Sequence, residues 1–131
     1  MIGRVARRAV VGLAAAAFAL GSTAAVDAHA VLVRSSPPGR AALSKAPDRV
    51  DLWFNERLEA AFSSASVWNA AGAQMDKKDA RVDGSDPRHL SVTIAPLAPG
   101  AYTVRYRVLS VDGHVVDASF SFTVKDAPSP K

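Results

Sequence analysis

Three histidines, His29, His89 and His114, and a few neighbouring acids are the side chains from which this 131-residue chain can build a reactive centre. There is no cysteine, which excludes disulfides, thiolate zinc sites, iron–sulfur clusters and a cysteine nucleophile. His114 stands in Ser110-Val111-Asp112-Gly113-His114. Side chains at i and i+2 of an extended segment lie on one side, and Gly113 permits a tight backbone between them. Imidazole nitrogen and carboxylate oxygen then form a workable pair of metal ligands. The same five residues also fit an ordinary solvent-exposed loop.

His29 gains a second donor if it becomes the first residue of a processed chain. Its α-amine and ring Nδ1 then close a chelate ring on one ion. With Asp112 and His114 the set is three nitrogens and one oxygen, which suits tetragonal Cu(II), the top of the divalent affinity order. The amine binds only after losing its proton, with a free pKa of about 7.7–8.0. Affinity is therefore expected to fall as pH drops. Met75 is the one methionine left beyond position 1, so a thioether site for Cu(I) is not expected. Glu56, in Leu52-Trp53-Phe54-Asn55-Glu56, is either an exposed acid at a strand end or a hydrogen-bond acceptor for the amine or a ligand imidazole. His89, beside Pro87 and Arg88, is expected to face solvent on a strand edge and is assigned no role.

Whether His29 is terminal depends on the leader. Positions 1–8 are short and basic, with Arg4, Arg7 and Arg8, and 9–20 are apolar and uncharged. Gly21-Ser22-Thr23 and further small residues follow, the pattern of a secretory signal. The uncharged run 9–26 approaches a membrane span in length, but its alanines make it a weak permanent anchor. We expect positions 1–28 to be a cleaved signal, by either export route. Cleavage after Ala28 starts the chain at His29, whereas cleavage after Ala30 starts it at Val31 and discards the histidine. Setting 1–28 aside lowers the formal net charge from +4 to +2. Arg105 and Arg107 alternate on one strand face but no basic run exists, so no nucleic-acid partner is expected.

The elements that must position these residues read as all-β. Short apolar or alternating runs at 30–33, 50–54, 64–68, 90–94, 102–109 and 119–124 are separated by Pro, Gly, Asn and Asp. Six or seven short strands in about a hundred residues fit an all-β, antiparallel two-sheet sandwich of Greek-key type. Trp53, Trp68, the tyrosines and the phenylalanines are expected mainly in its core. Helical turns are expected at 40–44 and 56–62, a solvated connection at 76–88, and a polar tail at 126–131.

Taken together, several motifs resemble the CopC family of periplasmic copper-resistance proteins over positions 29–125. They are His29-Ala30 with Ser36-Pro37-Pro38, the run from Val50 to Glu56, Tyr102-Thr103-Val104-Arg105-Tyr106-Arg107-Val108 before Ser110–His114, and Phe120-Ser121-Phe122-Thr123-Val124. The resemblance implies a barrel-like, immunoglobulin-like antiparallel β-sandwich of about seven strands, holding one Cu(II) per mature chain. Its ligands would be His29, Asp112 and His114, with Glu56 bonding to a ligand rather than to the ion. It also implies a periplasmic or exported monomer that buffers or carries copper, with a CopD-like inner-membrane copper transporter as partner. Some members carry a methionine-rich Cu(I) site, which has no counterpart here, and others are fused to the membrane domain. The end at Lys131 leads us to expect a free module. An oxidative polysaccharide-cleaving copper enzyme is the enzymatic alternative. It is disfavoured because Asp112 would fill a coordination position and no exposed aromatic platform is evident. A metal-free exported sandwich that binds protein is the remaining alternative.

Overall fold

The computed structural model describes residues 30–126; the expected leader, His29 and residues 127–131 lie outside the described residues. Strand parity builds the core. In β3 (Arg49–Phe54), Val50, Leu52 and Phe54 point inward and are buried, so Arg49, Asp51 and Trp53 face out. β3 lies between β1 (Leu32–Ser36) and β6 (His89–Thr93), and β6 lies between β3 and β5 (Arg81–Val82). The second sheet has the order β2 (Ala42–Leu43), β8 (Val115–Val124), β7 (Gly100–Leu109), β4 (Ser64–Asn69). Among the described residues this makes eight strands in two four-stranded sheets, the expected sandwich, with every pair antiparallel except β2 with β8.

The inner faces meet through aromatic and β-branched side chains. Phe54 of one sheet meets Tyr106 of the other edge-on, with ring centroids 5.5 Å apart. Tyr102 stacks on its cross-strand partner Phe122 at 5.5 Å, and its hydroxyl donates to the Ala98 carbonyl. Burial of this kind is the main favourable contribution to folding, and the buried hydroxyl keeps a partner as it must.

Four expectations are corrected. Trp53 and Trp68 are half-buried on outer faces, because each alternates with inward neighbours, Leu52 and Phe54 or Val67. Phe62 is 68% exposed, and Phe120 is only partly buried. The 40–44 segment contains the two-residue strand β2 rather than a helical turn, since Thr123 and Lys125 of the β8 region donate to the Ala41 and Leu43 carbonyls. The 56–62 segment keeps a single 3-10 turn, Ala60–Phe62. The 76–88 segment is not merely a solvated connection. It contains β5, and the buried carboxylate of Asp76 accepts the Val67 N–H at 2.9 Å, closing the outer edge of β4. His89 is not on an edge, because β6 is flanked on both sides.

Candidate metal centre

The β7–β8 hairpin turns through Ser110, Val111, Asp112, Gly113 and His114, with Leu109 paired to Val115 at its base. Ser110 N–H donates to the His114 carbonyl at 3.0 Å, and Gly113 N–H to the Ser110 carbonyl at 2.9 Å. Gly113 has φ +94°, a left-handed conformation that side chains resist. This turn folds Asp112 and His114 toward each other: one Asp112 carboxylate oxygen lies 3.2 Å from His114 Nδ1. That oxygen also accepts the Ser110 hydroxyl and, at 3.3 Å, the His114 N–H. Ser110 is fully buried, so its hydroxyl is a fixed donor. Chiefly through that bond, the Asp112 carboxyl is held below its ordinary value; burial opposes this, and hydrogen bonds and charge from His114 add to the lowering.

Both side chains are partly open to solvent. A separation of 3.2 Å suits two donors that each sit about 2.0–2.1 Å from one ion. Among the described residues, no group of three or more His, Cys, Asp or Glu side chains is placed to hold a metal. Asp112 and His114 stand together as a pair of candidate donors, one oxygen and one nitrogen.

The start of the described chain is tied to this end of the sandwich by one short segment. Val31 N–H donates to the Asn55 side-chain carbonyl at 2.6 Å, and Asn55 N–H returns a bond to the Val31 carbonyl at 3.0 Å. Two residues on, Val111 N–H donates to the Arg57 carbonyl at 3.0 Å, and Leu58 bridges to Ser110. Glu59 N–H donates to the Leu109 carbonyl at 2.8 Å. Residues 55–59 therefore link the chain start to the Asp112–His114 turn. Glu56, half-buried, lies in the middle of that link. The reciprocal role of Asn55 was missed in the sequence, where it read only as the end of a strand.

His89 belongs to a separate arrangement on the outer face of the first sheet. Its ring stacks on Trp53, its cross-strand partner, at 4.7 Å and 6°, and the Arg34 guanidinium lies over the Trp53 ring at 3.8 Å. Its Nε2 meets Asp51 at 2.7 Å and its Nδ1 meets Asp83 at 3.4 Å, with only 13% of the side chain exposed. Burial pushes the Asp51 carboxyl up, but hydrogen bonds and charge from Arg49 and His89 outweigh it and bring it below its ordinary value. With carboxylates at both ring nitrogens, His89 serves the sheet surface and not the turn.

The model of the CopC domain matches residues 32–125. The chain belongs to the CopC family. Protein YobA of Escherichia coli K12 is 36% identical over 104 residues, covering 79% of this chain and 84% of that protein. Copper resistance protein C of Pseudomonas syringae pv. tomato is 36% identical over 109 residues, covering 79% and 86%. The crystal structure of CopC from Methylosinus trichosporium OB3b superposes with a TM-score of 0.72 at 34% identity, covering 79% of this chain and all of that one. The CopC match places all of β1 to β8, the 55–59 link and the Asp112–His114 turn inside one family domain.

Proposed function

We propose that this CopC-family protein binds Cu(II) in the cell envelope and buffers or carries it. The observation that carries the reading is the Asp112–His114 pair, an oxygen and a nitrogen 3.2 Å apart in a turn fixed by buried Ser110. The hard, borderline donor set favours the cupric ion, and the chain has no cysteine to add a thiolate. Met75 packs against the core. His29, as the first residue of the mature chain, completes the set with its amine and ring, two residues before the point where Val31 is anchored. Glu56 lies on the 55–59 link to accept a hydrogen bond from that amine or from a ligand ring. One ion binds per chain.

On this reading the protein is a binder rather than an enzyme, since Asp112 would fill a coordination position that oxygen chemistry needs open. Export under the 1–28 leader places it in the periplasm or its equivalent, as a monomer. A CopD-like membrane copper transporter is the partner we assign it. Among the described residues no helix is long and apolar enough to cross a membrane. Titration with Cu(II), followed by electron paramagnetic resonance, tests the reading on Asp112→Ala and His114→Ala. Each variant is expected to bind more weakly, and His114→Ala to lose one nitrogen from the spectrum. Unchanged spectra in both would overturn it.

A further inference from the structure

We propose that Asn55 is a positioning residue for the metal centre, acting through the chain start rather than on the ion. The inference rests on the reading that His29 is a ligand. Val31 is held at both backbone groups by one residue, its N–H by the Asn55 side chain at 2.6 Å and its carbonyl by the Asn55 N–H at 3.0 Å. Only the first bond depends on the side chain. The buried Ala30 methyl adds a second anchor at the same place.

A chain advances at most about 3.3–3.6 Å per residue, so the Cα of a residue two before Val31 stays within about 7 Å of it. Asn55 is in turn two residues from Arg57, whose carbonyl holds Val111 next to Asp112. One short rigid link therefore sets both the origin of the N-terminal pair of donors and the place of the turn donors. Loss of the side-chain bond leaves the Ala30 methyl and the Val31 carbonyl as the remaining anchors and loosens the chain start, as at less firmly tied termini. The ion then bears the cost of ordering it, and affinity falls by the fraction of chains already in place.

The test uses four proteins: chains starting at His29 and at Val31, each with Asn55 and with Asn55→Ala. In the His29 chain, Asn55→Ala is expected to weaken Cu(II) binding about tenfold, the scale of one hydrogen bond. In the Val31 chain the same change should leave affinity within about twofold. Asn55→Asp, which keeps the acceptor, should restore most of the loss, and exchange of the Val31 amide should quicken only in Asn55→Ala. An equal loss in both chains would show a merely structural role and overturn the proposal. No loss in the His29 chain, while removal of His29 itself weakens binding, would overturn it and leave the ligand reading standing. No effect of removing His29 would defeat that reading and this proposal with it.

Discussion

One carboxylate oxygen of Asp112 lies 3.2 Å from His114 Nδ1, with a single glycine between the two residues. Three features fix this relationship. The Ser110 hydroxyl and the His114 N–H hold the carboxylate, and the left-handed backbone at Gly113 brings the ring back over it. The pair is thus set by the hairpin that closes β7 on β8, the longest antiparallel pairing among the described residues.

Gly113→Ala is expected to destabilise the fold by about 1–2 kcal/mol, the cost of a left-handed L-residue. A Cβ at Gly113 meets nothing within 4 Å, so strain and not collision is the cause. Gly113→Asn should cost less, because asparagine tolerates this region. Urea unfolding of both variants checks the order, and equal loss in the two would count against the conformational explanation.

Phe54 and Trp53 are neighbours on opposite faces of β3, and their truncations should differ accordingly. Phe54→Ala is expected to cost about 3–5 kcal/mol, as a buried aromatic does. Trp53→Ala should cost about 1–2 kcal/mol, since it forfeits mainly the stack on His89 and the Arg34 contact. Denaturant midpoints measure both, and a larger loss for Trp53 would contradict the assigned faces.

Acid should weaken the outer face of the first sheet. The Asp51 carboxyl is lower in the folded than in the unfolded chain, with burial opposed and overcome by Arg49 and His89. A lowered carboxyl stabilises above its unfolded value and loses that contribution as pH falls through the folded one, below about pH 4. Asp51→Asn should therefore reduce stability at pH 7 and narrow its difference from the native chain by pH 3. Unfolding curves at the two pH values give the answer; a constant difference would remove Asp51 from the account.

Much of this arrangement was legible in the residues. Alternation placed Tyr102, Val104, Tyr106 and Val108 inward on β7, and Asp112 and His114 stood out by type and spacing. The same rule, applied strictly, puts Trp53 outside once Leu52 and Phe54 are inside, yet bulk and apolarity argued for the core. β5 was hidden because its two residues, Arg81 and Val82, carry no alternation and are held by pairing with β6. β2 was hidden because parallel pairing to β8 depends on a partner some eighty residues away. The Asn55 clamp was hidden for a related reason, since an asparagine after a strand signals a turn and says nothing of which distant N–H its side chain will bind.

The central claim is that a free His29 amine completes a Cu(II) site with Asp112 and His114. It is tested most directly by titrating Cu(II) into the chain that starts at His29 and into the same chain with one residue added before it. The account predicts much weaker binding and an altered nitrogen pattern in the extended protein, with a pH dependence in the His29 chain that follows deprotonation of the amine. Equal affinity in the two proteins would contradict it.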